Sequence, residues 1–428
     1  MRLPGRMAAA IEILADIDRR HRPVADALKA WGLDNRFAGS GDRAAIGNLV
    51  YDALRRRLSH AWAMGADTPR ALVLSVAVRD WGEAPEELSD LFAQDTHAPE
   101  TLSADEVHRL SMPDPLVGSP DHVRADLPEW TVPHLPFGDE IIAEGQALAQ
   151  RPPVDLRVNT LKSERARVLN GLERFGAVAT EISPIGIRIP AGARDSRTPN
   201  VQVEESFLKG WFEVQDQGSQ LAALLVGAQP GEQVLDLCAG AGGKTLALAA
   251  AMNNKGQLFA HDSDRHRLAP IYDRLKRNGV RNVQVRPPGE GVLDDLAAKM
   301  DRVVIDAPCT GSGTWRRRPD AKWKLTAEQL AVRTAEQAAI LTDGARYVRP
   351  GGVLAYITCS MLDDENKAQA DAFAATHSEF EAIPLGPLLD ALAPRAAERA
   401  RLFPQGSILL TPLRSGTDGF FVALFRRR

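Results

Sequence analysis

Short apolar segments alternate with helical patterns between residues 233 and 357, and this alternation restricts the fold more than any other feature of the chain. Five segments, continuously apolar or nearly so, predict strands, at residues 234–237, 257–260, 283–285, 303–305 and 353–357. Short apolar runs of this kind are typical of parallel strands buried on both faces. We therefore predict an α/β fold with a doubly wound, mostly parallel sheet, closed by an antiparallel pair at residues 408–410 and 420–425.

The remainder of the 428-residue chain divides by composition and periodicity. Residues 6–95 show the apolar spacing of helices, and residues 96–136 are rich in proline. The pattern β-α-β-β follows in residues 155–189. We predict three domains: a helical domain with a proline-rich tether at 1–136, a small α+β lead-in subdomain at 137–210, and the doubly wound domain at 211–428.

Composition narrows the class of protein. The net charge of -4 gives no global signal for nucleic acid, so any basic surface must be local. Three cysteines are too few for a disulfide framework and fit a reducing compartment. The first residues do not resemble a signal peptide, and no uncharged apolar run is long enough to span a membrane. We expect a cytoplasmic protein with no membrane contact.

A glycine-rich loop follows the first predicted strand, and its ligand is ambiguous. Its sequence, Cys-Ala-Gly-Ala-Gly-Gly-Lys-Thr at 238–245, ends like the phosphate-binding loop of an NTPase, but Cys238 stands where that motif needs glycine. Asp262 ends the second strand, where an acidic side chain can hold ribose hydroxyls. This combination favours an adenosine-type cofactor. One alternative is a nucleoside triphosphate, and the other is a strand-to-helix turn that binds no ligand.

Two thiols and a carboxylate are expected at one edge of the sheet. Asp306 and Cys309 follow the fourth predicted strand, and Cys359 follows the fifth. Because the carboxyl ends of neighbouring parallel strands meet at one edge, these groups can face a common cleft. A cysteine after a buried strand is often an inert small hydrophobe, and we accept that interpretation for the side chain of Cys238. Two thiols beside a carboxylate in a cofactor cleft instead suggest covalent chemistry.

A basic, aromatic stretch follows Cys309, reading Trp-Arg-Arg-Arg at 315–318 and Lys-Trp-Lys at 322–324. A charge run is usually a solvated loop. The functional alternative is that arginines hold phosphates while the aromatic rings stack an exposed base. We favour the functional interpretation here, and the solvated helix end for a second basic run, Arg-Arg-Arg at 55–57.

Several motifs together resemble one family. Asp306-Ala307-Pro308-Cys309 and Thr358-Cys359-Ser360 resemble the paired signature of the RsmB/NOP/NSUN family of RNA 5-methylcytosine methyltransferases, most closely the bacterial RsmB branch. The further matches are the loop 238–245, the lead-in motifs 157–162 and 214–220, the stretch 317–323 and the last strand 418–423. The resemblance covers roughly residues 150–428, and residues 40–57 resemble less closely the family's NusB-like RNA-binding domain. It implies a Rossmann-like class I methyltransferase domain that binds S-adenosyl-L-methionine.

The resemblance also implies roles for single residues. Cys359 is the nucleophile that adds to carbon 6 of cytosine, Cys309 serves product release, and Asp306 contacts ring nitrogen 3 and borders the cofactor. The residues implied in cofactor binding are Cys238, Ala239, Gly240, Ala241, Gly242, Gly243, Lys244, Asp262, Arg267 and Asp306. The residues implied in RNA binding are Arg316, Arg317, Arg318, Lys322, Trp323, Arg157 and Asn159. The family's acidic residue after the third strand is missing from its usual place, and Glu290 is the nearest substitute.

We therefore expect a monomeric, metal-free RNA cytosine-5 methyltransferase. Small-subunit ribosomal RNA is the expected substrate and tRNA the alternative within the family. A non-catalytic RNA-binding assembly factor is the alternative outside the enzymes, and the presence of Cys359, Cys309 and Asp306 together argues against it.

Overall fold

The computed structural model describes residues 1–428, which form two compact units. The first unit comprises Met1–Pro152, Ala191–Pro199 and Trp315–Lys324. The second comprises Pro153–Pro190, Asn200–Thr314 and Leu325–Arg428. No helix combines the length with the apolar character that crossing a membrane requires.

The helices divide between the two units. Nine lie in the N-terminal part of the first unit: α1 (Leu3–Arg20), α2 (Val24–Asp34), α3 (Ser40–Arg55), α4 (Arg57–Met64), α5 (Pro69–Ser75), α6 (Pro85–Gln94), α7 (Ala104–Leu110), α8 (Asp121–Arg124) and α9 (Ile141–Leu148). The others are α10 (Arg165–Gly171), α11 (Glu205–Leu208), α12 (Gln217–Leu225), α13 (Gly243–Ala251), α14 (Arg265–Leu268), α15 (Ile271–Asn278), α16 (Pro319–Lys324), α17 (Ala327–Ala345), α18 (Lys367–Thr376), α19 (Leu385–Leu392), α20 (Pro394–Ala397) and α21 (Pro412–Ser415). Of these, α16 belongs to the first unit.

The strands form two sheets, both in the second unit. The smaller sheet contains β1 (Val154–Val158), β2 (Val178–Ala179), β3 (Gly186–Ile189) and β4 (Phe212–Val214). The larger contains β5 (Gln233–Asp236), β6 (Gln257–His261), β7 (Val283–Arg286), β8 (Met300–Asp306), β9 (Val348–Thr358), β10 (Phe380–Ile383), β11 (Arg401–Leu402), β12 (Ile408–Leu410) and β13 (Phe420–Arg427).

The larger sheet has the topology that the alternating pattern predicts. Its strand order is β11-β12-β13-β9-β8-β5-β6-β7, with β10 also paired to β13. The five strands from β9 to β7 are parallel, and β13 pairs antiparallel with both β9 and β12. Val303, Val304 and Ile305 of β8 are fully buried, as expected for a strand covered on both faces. The Rossmann-like prediction and the helical N-terminal region are confirmed.

The compact units do not follow the three expected domains 1–136, 137–210 and 211–428. The first unit continues past residue 136 because α9 packs closely against α8, where a Cβ on Gly145 would lie 2.2 Å from the carbonyl oxygen of Ala125. The lead-in sheet and the larger sheet share the second unit. Residues 315–324, expected within the doubly wound domain, belong to the helical unit.

Candidate active site

The two thiols after β8 and β9 meet at the carboxyl edge of the larger sheet. These strands are parallel neighbours, in a register that places Asp306 beside Ile357. The chain beyond each strand therefore leaves the sheet at a similar height, and the Sγ atoms of Cys309 and Cys359 lie 3.4 Å apart. Both cysteines are free and partly exposed. The pKa of Cys309 is well above its usual value, because its thiol is hydrogen-bonded to Cys359, largely desolvated by its neighbours, and close to the charges of Cys359 and Glu365.

Asp306, the last residue of β8, is paired with a lysine of the glycine-rich loop. The Nζ atom of Lys244 lies 2.7 Å from Oδ2 of Asp306. The lysine side chain is 4% exposed and the aspartate side chain 35%, so the carboxylate is the more accessible partner. The same ammonium lies 5.2 Å from the ring centroid of Phe420 and donates a 3.4 Å hydrogen bond to Oγ of Ser219. Lys244 thus connects the glycine-rich loop to the end of β8.

The glycine-rich loop has the backbone shape of a ligand cradle. Gly240 and Gly242 have φ angles of 50° and 85°, the left-handed region that favours glycine. A Cβ on Gly242 would lie 2.6 Å from Cγ1 of Ile271, so any other residue would displace α15 or the loop. Glycines leave this backbone open to close approach by a ligand, which fits the predicted cofactor position.

Asp262 fixes the loop from the end of β6. Its Oδ2 accepts a 2.9 Å hydrogen bond from the Gly240 N–H, and its Oδ1 accepts one of 2.9 Å from the Asp264 N–H. The side chain is 2% exposed, and Nη2 of Arg267 lies 3.9 Å away. A carboxylate has about four acceptor positions, so two remain for ribose hydroxyls. The residues of this cleft therefore fit an adenosine-type cofactor.

The carboxyl group of Asp236 is buried beneath the loop, and the thiol of Cys238 lies partly exposed beside it. Burial raises the pKa of Asp236 to about 7, although a 2.6 Å hydrogen bond from Oγ1 of Thr245 opposes the shift. Burial, with the nearby carboxylates of Asp236, Asp306 and Asp262, raises the pKa of Cys238 far above that of a free thiol. These surroundings disfavour the thiolate of Cys238, so its predicted contribution to the cofactor site remains that of its backbone.

The NTPase alternative does not fit these contacts. A phosphate-binding loop uses its lysine for phosphates and its threonine hydroxyl for Mg²⁺. Here Lys244 is paired with Asp306, and Thr245 donates to Asp236. No group of three or more His, Cys, Asp or Glu side chains is arranged to hold a metal ion.

Three polar side chains that the sequence analysis did not single out, those of Glu365, Gln337 and Asn366, hold the two cysteine segments. Glu365 accepts hydrogen bonds from the backbone N–H and the hydroxyl of Thr310, at 2.8 and 2.5 Å. Nε2 of Gln337 donates to Oε1 of Glu365 and to the carbonyl of Pro308, both at 2.9 Å. Oγ1 of Thr358 donates to Asn366 at 2.5 Å. Glu365 and Asn366 lie in the polar run Asp-Asp-Glu-Asn at 363–366, which by pattern alone resembles a solvated loop.

Two residues expected to contact RNA are buried within the second unit. Arg157 is 1% exposed and its Nε donates a 2.6 Å hydrogen bond to Oε1 of Gln215. Burial lowers its pKa to about 10. Asn159 is 2% exposed, and its Nδ2 donates to the carbonyls of Gly210 and Asn278 at 2.8 and 2.9 Å. The expectation of RNA contact is corrected for both, because their polar groups are used inside the protein.

The basic stretch 315–324 packs on the helices of the first unit. Lys322 is 1% exposed, its Nζ donates a 2.8 Å hydrogen bond to the carbonyl of Arg55, and burial lowers its pKa to about 8. Nε1 of Trp323 donates to the carbonyl of Leu54 at 2.6 Å. Arg316 is 4% exposed. Burial therefore leaves Arg316 and Lys322 no open surface for the expected RNA contact, whereas Trp323 is partly exposed and its contact with RNA stays a prediction.

Arg317 and Arg318 keep the predicted accessibility, the former partly exposed and the latter exposed. The solvated helix end expected for the other basic run is wrong at its first residue. Arg55 is 7% exposed and donates hydrogen bonds to Asp52 at 2.9 Å and to the carbonyl of Arg316 at 2.8 Å.

Most of the second unit lies in a region that is similar to a known family of methyltransferases. Residues 223–426 match the family model described as 16S rRNA methyltransferase RsmB/F. A Sodalis glossinidius protein named ribosomal RNA small subunit methyltransferase B is 36% identical over 283 residues, which are 64% of this chain and 59% of that protein. A Synechocystis sp. protein named probable ribosomal RNA small subunit methyltransferase B is 31% identical over 285 residues, 65% of this chain and 61% of the relative. The matches thus span about three fifths of the relatives' length.

Solved structures are similar over the same region and beyond it. A crystal structure of a protein called PH0851 has a TM-score of 0.74 and 26% identity, covering 100% of both chains. A structure described as a methyltransferase homolog protein from Pyrococcus horikoshii has a TM-score of 0.58 and 26% identity, covering 72% of this chain and 98% of that one.

Proposed function

We propose that this chain methylates carbon 5 of a cytosine in small-subunit ribosomal RNA, because residues 223–426 match the family model of the 16S rRNA methyltransferases RsmB/F. The cofactor of this family is S-adenosyl-L-methionine, which supplies an electrophilic methyl group when bound. The rRNA substrate is inferred from the family description and from the names of the Sodalis and Synechocystis relatives. One observation carries the reaction class: two thiols lie 3.4 Å apart beside a lysine-paired carboxylate at the sheet edge.

The proposed cofactor site is the cleft above the loop 238–244. Its backbone provides the close approach, and Asp262 would hold the ribose with its remaining acceptor positions. Arg267 lies at the same edge and Glu290 is exposed on the segment after β7, where the family's acidic residue is missing. Asp306 would border the methyl donor and the target base together.

In the proposed reaction, the thiolate of Cys359 adds to carbon 6 of cytosine, forming an S–C6 bond. The carboxyl group of Asp306, protonated for this step, donates a hydrogen bond to ring nitrogen 3, which stabilises the negative charge that the addition places on the ring and makes carbon 5 nucleophilic. Lys244, whose Nζ atom lies 2.7 Å from Oδ2 of Asp306, orients this carboxyl group and can supply its proton. After methylation, a base removes the proton from carbon 5, the C5–C6 double bond reforms, and the S–C6 bond breaks with help from Cys309.

The target base must leave its stack to reach Cys359, because attack on carbon 6 requires access to the face of the ring. Arg317 and Arg318 are the accessible members of the basic stretch and are proposed to contact RNA phosphates. The buried Arg316, Lys322, Arg157 and Asn159 are proposed to act indirectly, by holding the segments on which the RNA-facing surface is built. Trp323 is partly exposed and remains a proposed RNA contact.

Bisulfite sequencing of total RNA from cells with and without the gene for this protein tests the proposal. We expect one ribosomal 5-methylcytosine to disappear without the protein and to return with the wild-type chain but not with Cys359→Ala. A change at a tRNA site instead would keep the reaction and reject the substrate. No change at any cytosine would reject the proposed reaction.

A further inference from the structure

The two active-site thiols are too close to ionise together. At a separation of 3.4 Å, two thiolates would repel strongly, so at most one of the two sulfurs can be a thiolate at a time. The positions of Cys309 and Cys359 after adjacent parallel strands do not distinguish them. The groups around the pair must therefore decide which sulfur carries the charge.

Glu365 lies in the chain six residues after Cys359, but its side chain is hydrogen-bonded to the other cysteine segment, that of Cys309. Its side chain is fully buried and receives the two hydrogen bonds from Thr310 and the one from Gln337. Three donors and no acceptor are the surroundings expected for a carboxylate rather than a carboxylic acid. All three donors are neutral, so none of them offsets the negative charge.

The contacts of Glu365 enclose Cys309 from both sides along the chain. Thr310 follows the cysteine and is bound directly, whereas Pro308 precedes it and its carbonyl accepts from the Gln337 amide that also binds Glu365. Cys359 is held differently, since its carbonyl accepts a 2.9 Å hydrogen bond from the Gly313 N–H. The fixed negative charge is thus built into the support of one thiol.

We propose that Glu365 selects the nucleophile: its buried carboxylate keeps Cys309 a thiol and so leaves the thiolate to Cys359. Glu365 is a positioning residue, because it acts through the Cys309 segment and touches no reacting atom. The inference rests on the proposed function for the catalytic meaning of Cys359. It explains how two equivalent positions acquire different roles, which the cysteine motifs alone do not.

The other groups that face Cys309 are compatible with this selection. The hydroxyl of Tyr356 on β9 donates a 2.6 Å hydrogen bond to the backbone carbonyl of Glu365, and burial keeps its pKa well above the usual value, so it remains neutral. Asp306, at the end of the strand that precedes Cys309, is paired with Lys244. Glu365 and the sulfur of Cys359 are the charged groups that raise the pKa of Cys309.

The test is the pH dependence of thiol alkylation in the full chain with all three cysteines present. Short pulses of iodoacetamide between about pH 6 and about pH 10, followed by peptide mass spectrometry, give a labelling midpoint for each cysteine, because only thiolates react rapidly. We expect Cys359 to be labelled at lower pH than Cys309. In Glu365→Gln, which keeps the side-chain shape but removes the charge, the Cys309 midpoint should fall by roughly 1 unit.

Two further variants separate charge from packing. Glu381→Gln removes an equal charge from an exposed position on β10 and should leave both midpoints unchanged. Glu365→Asp keeps the charge and should keep Cys309 the later thiol to react, which a purely steric role of the longer side chain would not do.

Either of two results overturns the proposal. The first needs no variant and is a wild-type chain in which Cys309 is labelled at lower pH than Cys359. The second is an unchanged Cys309 midpoint in folded Glu365→Gln. Labelling requires no RNA and no methyl donor, so failure of the proposed methyl transfer would appear separately, as an inactive wild-type protein with the labelling order intact.

Discussion

At the scale of single residues, Lys244 connects the glycine-rich loop to Asp306 at the end of β8. Its ammonium is buried between Asp306, Ser219 and the ring of Phe420. A charge held in this way costs little reorganisation when a substrate binds, and it fixes the direction of the Asp306 carboxylate. The lysine was identified from the sequence only as part of the loop, and its role toward Asp306 emerges from the 2.7 Å contact.

Removing the Lys244 ammonium should slow methyl transfer more than it weakens the binding of RNA and methyl donor. For Lys244→Met we expect a loss of about 10²-fold or more in the single-turnover rate, because Asp306 loses its orientation toward the base. Lys255→Met, at an exposed position, is the matched control. Equal single-turnover rates for Lys244→Met and the wild-type chain would rule out this role.

Asp236 should make stability fall as pH rises. Its pKa in the folded chain is about 7 against an ordinary 3.8, so the folded state binds more protons between these values and loses stability as pH rises through them. A shift of about 3 units sets an upper limit of roughly 4 kcal/mol. Relative to Asp236→Asn, the wild-type chain should lose unfolding free energy between about pH 4.5 and about pH 7 in urea titrations. A difference independent of pH would contradict the assignment.

At the scale of elements, the site depends on the turns that leave β5, β8 and β9. The turn after β5 passes so close to α15 that Gly242 has no room for a Cβ, whereas the turns after β8 and β9 are joined by bonds such as the 2.9 Å one between Oγ of Ser312 and Ser360. The strands set the position of the site, and these turns set the orientation of its side chains.

Substitutions of Gly242 and Gly243 should distinguish the contribution of the turn after β5 from that of α13, the helix that follows it. Gly242→Ala places a Cβ 2.6 Å from Ile271 and requires a φ of 85°, so we expect a destabilisation of about 1–3 kcal/mol and weaker binding of S-adenosyl-L-methionine by calorimetry. Gly243→Ala is the control, since its nearest contact would be an ordinary 3.9 Å to Gln215. Equal affinities for both variants would show that the turn does not shape the cofactor site.

The packing of α16 predicts a stability effect where the sequence motif suggested RNA contact. Trp323→Phe removes the indole N–H that donates to the Leu54 carbonyl, and we expect the unfolding free energy to fall by about 1–2 kcal/mol. Trp62→Phe, at a position 42% exposed, should cost less than about 0.5 kcal/mol. Unchanged stability in Trp323→Phe together with lost RNA affinity would show that the indole of Trp323 contacts RNA directly.

At the scale of the whole molecule, the parallel sheet and the meeting of Cys309 with Cys359 were predictable from local patterns. A continuously apolar sequence predicts a strand that is buried on both faces, and the carboxyl ends of neighbouring parallel strands lie at the same edge of the sheet. The burial of Arg157 and Lys322 was not predictable, because their partners, Gln215 and Arg55, are 58 and 267 residues away in the sequence. Glu365 was missed for the same reason: its polar surroundings exist only in the folded chain.

The central claim is that Cys359 forms the bond to RNA and Cys309 serves its release. Purified Cys309→Ala, incubated with substrate ribosomal RNA and S-adenosyl-L-methionine, tests it through the denaturation-resistant protein–RNA adduct, with the linked peptide identified by mass spectrometry. The account predicts an adduct on Cys359 that accumulates in the Cys309→Ala variant. The adduct should be absent from the double variant that carries both Cys309→Ala and Cys359→Ala. An adduct linked through another residue, or none in Cys309→Ala although the wild-type chain methylates the same RNA, would contradict it.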